Sequence, residues 1–234
     1  MIPILWQSPH CLVVFKPAGL ATQAPAPHDS LERRLRSELE PCAGAAGDYL
    51  ALPHRLDRAV SGVILVARSK RAARLLGQQF QSRKVAKTYL AWVQGQPHTE
   101  PQRWVDRLRK LPGQPQTEVV TSSDPDEPSA GQEAITAVRV LRQQADSGLL
   151  ELQPLTGRMH QLRVQCAHRG YPILGDTLYG STASWSGAPA AHEPSLSGAE
   201  TIALHAWQLR FYDPRNGQAV TVAAPPAWPS ERLP

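Results

Sequence analysis

The chain has 234 residues, of which 41% are hydrophobic and 19% charged, and its formal net charge is +5. This length allows one large domain or two small ones, and the composition excludes a wholly disordered chain. No apolar run reaches the ~18–20 residues of a membrane helix, and the N-terminus lacks the basic segment of a signal peptide. Because Cys11, Cys42 and Cys166 form no CxxC pair, we expect a reduced, cytoplasmic protein.

The first half of the chain is predicted to alternate apolar strands with two amphipathic helices. Leucines recur every four residues over 31–39, which predicts a helix with Ser30 as its N-cap. Ser69 is predicted to cap a second helix that carries its arginines and lysines on one face. Short apolar or alternating runs predict strands over 12–16, 62–67 and 87–94.

The second half contains two segments without a clear period. Residues 96–131 hold many prolines and predict an irregular excursion with at most short strands, and residues 181–200 are predicted to be mobile. A helix is predicted after Thr156, with Gly170 as its C′ residue. Further strands are predicted over 134–141, 149–153, 201–212 and 218–222. No repeat or linker divides the pattern, so we expect one domain over 1–234 with a mostly antiparallel sheet and a few helices.

The positive charge is concentrated in one part of the chain. Residues 55–87 hold nine basic residues and one acid, Asp57, whereas residues 118–133 hold five acids and no base. Such a local excess fits a surface that binds a polyanion, and it equally fits a solvated basic face.

The segment HRLDRAVSG (54–62) is the first candidate for chemistry. Nearby positive charge favours the ionised carboxylate, and Asp57 lies between Arg55 and Arg58. An ionised carboxylate on a loop can act as a nucleophile, a general base or a metal ligand. From these residues alone, an aspartate that only caps a turn or forms a salt bridge with an arginine is the favoured interpretation.

A second cluster is TGRMHQLR (156–163). If residues 159–168 are helical, His160 and Arg163 lie on one side, where Arg163 could meet a carboxylate from elsewhere. The alternative is an ordinary amphipathic helix with exposed cations. No histidine has a partner at metal-ligand spacing, so we predict no metal site and interpret His54, His160, His168 and His205 as core or hydrogen-bonded residues.

Taken together, these segments resemble the RluA family of RNA pseudouridine synthases. The resemblance rests on KPAGL (16–20), HRLDRAVSG (54–62), KTYLAWVQG (87–95), TGRMHQLRV (156–164), GYPILGDTLYG (170–180), LHAWQL (204–209) and DPRNG (213–217). Two positions depart from the family pattern: Val60 replaces the usual Thr, and Gln165 the usual His. The chain starts almost directly at the catalytic domain, as in short members that modify tRNA and large-subunit rRNA, or tRNA alone.

The resemblance implies an α+β pseudouridine synthase fold: a mixed, mostly antiparallel sheet with flanking helices and a central catalytic cleft. It implies that uridine in RNA is detached at its N1–C1′ bond, rotated and rejoined through carbon 5, without a cofactor. Asp57 is the implied carboxylate that attacks the sugar or adds to the base. Arg163 is its implied ionic partner, and Tyr89 the implied residue that stacks on uracil.

The resemblance also implies how RNA binds. The target nucleotide is flipped out of its helix or loop, and Arg55 fills the gap that it leaves. The basic face of residues 68–87, together with Arg158, follows the phosphates. The expected RNA-binding residues are His54, Arg55, Arg58, Arg71, Arg74, Lys87, Arg158 and His160. The expected partner is tRNA or large-subunit rRNA, bound by a cytoplasmic monomer without a membrane.

Two alternatives belong to other functional classes. A glycosidase or phosphoryl-transfer enzyme built on Asp57 needs a second carboxylate or a metal site, and no acid lies beside it in the basic stretch. A catalytically silent RNA-binding protein or RNA chaperone keeps the basic face but gains nothing from a lone carboxylate. The latter alternative remains open at this point.

Overall fold

The computed structural model describes residues 1–39, 49–121, 131–185, 201–226 and 228. Backbone contacts group these residues into two compact units. Unit 1 comprises residues 1–87 and 205–228, and unit 2 comprises residues 88–185 and 201–204. The prediction that residues 1–234 act as one catalytic domain stays a prediction.

Unit 1 contains five hydrogen-bonded strands: β1 (Ile4–Gln7), β2 (Cys11–Lys16), β3 (Ser61–Ala67), β9 (Leu204–Tyr212) and β10 (Ala219–Ala223). Their order is β1-β2-β3-β9-β10, with β3 and β9 parallel and the other neighbours antiparallel. At the parallel pair, Gly62 has φ +126°, and a Cβ there would lie 2.2 Å from the Ala206 carbonyl oxygen. Only glycine therefore allows the two strands to approach this closely.

The two helices of unit 1 begin at the caps that the sequence predicts. Helix α1 (Leu31–Leu39) starts after Ser30, whose Oγ accepts from the Arg33 amide at 3.2 Å. Helix α2 (Lys70–Gln81) starts after Ser69, whose Oγ accepts from the Ala72 amide at 3.1 Å. The core lies between α2 and the sheet and includes Val13, Leu65, Leu76, Leu209 and Phe211.

Unit 2 contains five antiparallel strands: β4 (Ala86–Gln94), β5 (Gln102–Lys110), β6 (Thr117–Val119), β7 (Gln132–Gln143) and β8 (Ser147–Pro154). Their order is β4-β8-β7-β5-β6. Helix α3 (Gln161–His168) packs on β5 and β6, and Gly170 follows it with φ +80° as the predicted C′ residue.

The mostly antiparallel sheet with flanking helices confirms the predicted α+β class. The prediction of an irregular segment over 96–131 is wrong for Gln102–Lys110, which forms the nine-residue strand β5. Strands β1 and β6 are also additions to the predicted elements. The predicted mobility over 181–200 falls largely outside the described residues, as do Cys42 and the central acids of the acidic stretch. None of the helices in the described ranges is long and apolar enough to cross a membrane.

Candidate active site

Asp57 lies half-buried on the loop that leads into β3, and its neighbours are fixed from both sides. On the N-terminal side, the Thr22 hydroxyl donates to the Leu56 carbonyl at 2.7 Å. The same oxygen accepts from the Leu56 amide at 3.1 Å. One buried side chain thus satisfies both backbone groups of the residue before Asp57.

On the C-terminal side, the segment 16–20 holds Arg58. The Gly19 amide donates to the Arg58 carbonyl at 2.7 Å, and the Arg58 Nε donates to the Gly19 carbonyl at 2.9 Å. The fully buried Lys16 ammonium donates to the carbonyls of Pro17, Leu20 and Arg58 at 2.8, 2.7 and 3.4 Å. Asp57 is therefore held in a loop whose backbone is restrained immediately before and after it.

His54 supports this loop as a neutral ring. Its Nε2 accepts from the Leu65 amide of β3 at 2.9 Å, and its ring stacks on Phe80 at 4.8 Å. Burial, with a smaller contribution from the Lys87 charge, lowers the pKa of His54 to about 3. Burial also lowers the pKa of Lys87 to about 8. These contacts hold His54 against β3 and α2, and its predicted contact with RNA stays a prediction.

Arg163 lies in the first turn of α3 and is bound by a buried carboxylate. Its Nε and Nη2 donate to Oδ2 and Oδ1 of Asp176, both at 2.7 Å. The two side chains are only 8% and 1% exposed. The Arg163 guanidinium also lies over the ring of Tyr179, 5.0 Å from its centroid. Bidentate pairing and the ring fix the guanidinium plane in two directions.

These contacts decide between the two interpretations of the segment 156–163 that the sequence left open. Residues 161–166 are buried in succession, so α3 is not an amphipathic helix with exposed cations. The predicted ion pair between Arg163 and Asp57 stays a prediction. Asp176 and Tyr179 are functional candidates that the residue-by-residue reasoning missed, although both stand in the segment 170–180. Their place in the segment GYPILGDTLYG, which carries part of the family resemblance, was the available signal.

His160 is the residue immediately before α3. It has left-handed backbone geometry, with φ 52°, so α3 begins one residue later at Gln161. Its Nδ1 lies 2.9 Å from the Tyr179 hydroxyl oxygen, which also accepts from the Thr117 amide at 3.0 Å. Burial raises the pKa of Tyr179, so its hydroxyl stays protonated.

A buried polar network holds α3 on the sheet. Gln161 Oε1 accepts from the Thr156 hydroxyl at 2.8 Å and from the Arg158 amide at 3.0 Å. Gln165, which is fully buried, accepts from the Thr136 hydroxyl at 2.7 Å and donates to Asp106 Oδ2 at 2.6 Å. Gln165, one of the two departures from the family pattern, thus has a structural environment within unit 2.

Comparisons with known proteins test the family resemblance. The family model described as RNA pseudouridylate synthase matches residues 10–168. The dual-specificity RNA pseudouridine synthase RluA of Yersinia pestis is 35% identical over 221 residues, covering 92% of this chain and 94% of that protein. Its namesake from Escherichia coli K12 is 34% identical over 95% of this chain and 92% of that protein. The chain belongs to the RluA family of RNA pseudouridine synthases.

Other relatives of this RluA-family chain include longer proteins. The tRNA pseudouridine synthase C of Pectobacterium carotovorum is 32% identical, and the match covers 96% of this chain and 59% of that protein. The solved structure of human RNA pseudouridylate synthase domain containing 1 has a TM-score of 0.72 and 26% identity. That alignment covers 96% of this chain and 83% of the human chain. The solved structure of human RNA pseudouridylate synthase domain containing 4 has the same TM-score and the same sequence identity.

The remaining predicted site residues of this RluA-family member are divided between the two units. Arg55, Arg71 and Arg74 are exposed in unit 1, the last two on α2. Tyr89 lies half-buried on β4 in unit 2, opposite Leu152 of β8. Arg158 donates through Nε to the Glu133 carbonyl at 2.9 Å. Among the described residues, His, Cys, Asp and Glu side chains nowhere form a group of three that could hold a metal ion.

Proposed function

We propose that this RluA-family enzyme isomerises specific uridines in structured RNA to pseudouridine, with Asp57 as the reacting carboxylate. The observation that carries the proposal is the restrained loop around Asp57. Thr22 holds the residue before Asp57, while Lys16 and Gly19 hold the residue after it. Preorganised geometry of this kind removes the entropy that a flexible carboxylate would lose on reaching the transition state.

The reaction conserves all atoms of the uridine. The N1–C1′ bond breaks, the base rotates, and a C5–C1′ bond forms, after which C5 loses its proton and N1 gains one. Asp57 either attacks C1′ to form a glycosyl ester or adds to the uracil ring, and both routes need an accessible ionised carboxylate. Tyr89 is proposed to stack on the detached base. Arg163, oriented by Asp176, is proposed to pair with Asp57.

The substrate is proposed to be tRNA, large-subunit rRNA or both, bound by a cytoplasmic monomer. The names of the similar proteins, which include a dual-specificity RNA enzyme and a tRNA enzyme, support the RNA part of this proposal. The free, buried thiols of Cys11 and Cys166 are compatible with a reducing compartment. Base flipping exposes the reacting bond, and Arg55, exposed beside the restrained Leu56, is proposed to fill the vacated position.

The test of the chemistry is tritium release from RNA labelled at C5 of uridine. We expect Asp57→Asn to abolish release while RNA affinity stays within about a few-fold of wild type, because the exchange is nearly isosteric. Asp29→Asn is the matched control, since Asp29 is an exposed carboxylate that pairs with Arg34. More than about a tenth of the wild-type rate in Asp57→Asn contradicts the nucleophile. RNA binding without release by the wild-type protein supports the silent RNA-binding alternative instead.

The test of the RNA face is the salt dependence of binding. Neutralising phosphates releases counterions, so log affinity falls with log salt by about 0.7 to 0.9 for each phosphate contacted. Arg71→Glu with Arg74→Glu should flatten this slope and leave tritium release intact at saturating RNA. Arg139→Glu is the control, because Arg139 is also exposed but lies on β7 of unit 2 and pairs with Glu151. An unchanged slope in the α2 double variant places the phosphate contacts elsewhere.

A further inference from the structure

Tyr179 contacts two residues of the proposed machinery through different parts of its side chain. Its ring lies under the Arg163 guanidinium, 5.0 Å from centroid to Cζ. Its hydroxyl oxygen lies 2.9 Å from Nδ1 of His160, and the two rings meet edge to face at 5.7 Å. The ring and the hydroxyl can therefore be removed separately by substitution.

The hydrogen bonds around the Tyr179 hydroxyl favour one proton arrangement. A phenol oxygen can accept from one amide and still donate its own proton. The Thr117 amide already donates to this oxygen at 3.0 Å. If the hydroxyl donates to His160 Nδ1, its oxygen accepts one hydrogen bond and its proton forms another. If Nδ1 instead donates, the oxygen accepts twice and its proton loses this partner, which is costly in a partly buried site.

The tautomer of His160 follows from this arrangement. A neutral imidazole carries one proton, so a ring that accepts at Nδ1 carries the proton on Nε2. The left-handed backbone of His160 also requires support, because a residue other than glycine rarely adopts φ 52°. The hydroxyl of Tyr179 provides an anchor for the side chain of this strained residue.

We propose that Tyr179 is a positioning residue with two separable tasks. Its ring holds the Arg163 guanidinium for catalysis, and its hydroxyl fixes His160 as the tautomer that donates from Nε2 to an acceptor oxygen of RNA. The ligand chemistry for Nε2 is a phosphate, ribose or uracil oxygen. The proposal rests on the proposed function only for its kinetic consequences, because the tautomer exists in the free protein.

The kinetic test separates the two tasks. Tyr179→Phe keeps the ring and removes the hydroxyl, so KM for RNA should rise about fivefold with little change in the single-turnover rate at saturating RNA. Tyr179→Leu removes both, so the single-turnover rate should also fall, by about tenfold. Tyr171→Phe is the matched control, from the same segment, and no hydrogen bond of its hydroxyl is present within the described part of the chain. Thermal unfolding of each variant confirms that it folds.

A double-mutant cycle tests whether the hydroxyl acts through His160. In a His160→Ala background, Tyr179→Phe should have no further effect on KM, because the ring that it orients is gone. An effect of the same size in both backgrounds overturns the proposed route. A single-turnover rate that falls as far in Tyr179→Phe as in Tyr179→Leu also overturns it, because the two tasks are then inseparable.

The tautomer can be measured without RNA. Long-range ¹H–¹⁵N correlation spectra distinguish a protonated from an unprotonated ring nitrogen, and the signal that His160→Gln removes identifies His160 among the eight histidines. We expect unprotonated Nδ1 and protonated Nε2 in wild type, and loss of this pure tautomer in Tyr179→Phe. Protonated Nδ1 in the wild-type protein overturns the proposal. Absence of tritium release with the expected tautomer contradicts the proposed function alone.

Discussion

The loop that carries Asp57 and the helix that carries Arg163 are held in place by different kinds of chemical group. Around Asp57 the restrained groups are backbone amides and carbonyls, bound by Thr22, Gly19 and Lys16. Around Arg163 the restraint acts on the side chain itself, through the carboxylate of Asp176. The first arrangement fixes a position in the chain, whereas the second fixes the orientation of one functional group.

The comparison predicts where a single substitution is most damaging. Asp176→Asn leaves a buried guanidinium with a neutral partner, and breaking a buried pair in this way costs about 3–5 kcal/mol of unfolding free energy. Glu151→Gln is the control, because its partner Arg139 is 59% exposed and such a pair contributes at most about 1 kcal/mol. Urea unfolding measures both. If the two variants lose equal stability, the Asp176 carboxylate does not stabilise the buried Arg163 guanidinium as described.

The restraint on the backbone around Asp57 should depend strongly on Lys16. Lys16→Met keeps the apolar stem but removes the ammonium, so the Pro17 and Leu20 carbonyls lose their donor. Unsatisfied buried carbonyls should cost about 2–3 kcal/mol, and the single-turnover rate should fall as the Asp57 loop loosens. Lys70→Met, at the exposed start of α2, should change stability by less than about 0.5 kcal/mol. If Lys16→Met has wild-type stability and a wild-type single-turnover rate, Lys16 does not restrain the Asp57 loop.

The stability of unit 1 should be sensitive to acid, because His54 and His205 are both neutral in the folded protein. His205 is buried and His54 is partly buried. Burial lowers the pKa of His54 to about 3 and that of His205 to about 4, from an ordinary value of 6.5. Below pH 6.5 the unfolded chain binds protons that the folded protein does not, so stability is complete above this pH and falls on acidification. Between pH 6.5 and about 5, each histidine should cost about 1–2 kcal/mol.

The measurement is the unfolding free energy in urea at neutral pH and at about pH 5. His54→Gln should reduce the acid-induced loss, because its amide does not titrate in this range. His168→Gln is the control, since His168 is exposed at the end of α3. An acid-induced loss as large in His54→Gln as in wild type shows that His54 is not the group responsible.

Local signals in the sequence predicted local features correctly. Ser30, Ser69 and Gly170 were identified as helix boundaries because a cap bonds within its own turn. Strand β5 was missed because the charged Asp106 faces the same side as buried Trp104 and Leu108, which conceals the apolar alternation. The Asp106 carboxylate is bound by Gln165 and Arg169, which lie 59 and 63 residues later in the chain. No short window of sequence contains such distant partners.

The difference between local signals and long-range contacts also explains which parts of the site could be predicted. Asp57 and Arg163 were candidates from their own motifs, and the family resemblance implied their roles, whereas the residues that support them were not identified. Lys16 was part of a recognised segment, but nothing in its sequence neighbourhood indicates that its ammonium reaches the carbonyl of Arg58, 42 residues later. The predicted contact of His54 with RNA stays a prediction, and its bond to the Leu65 amide of β3, 11 residues later, was not indicated by the motif.

The close approach at Gly62 has an evolutionary consequence. Residues 54–62 contain one position that we propose for chemistry, Asp57, and a separate structural position, Gly62, where any side chain would meet the Ala206 carbonyl of β9. Selection for folding alone would retain Gly62 and leave residue 57 unconstrained. A descendant that lost its enzymatic task could therefore drift at Asp57 while preserving the rest of the segment. The identity of residue 57, rather than overall sequence similarity, then distinguishes family members that keep the activity from those that have lost it.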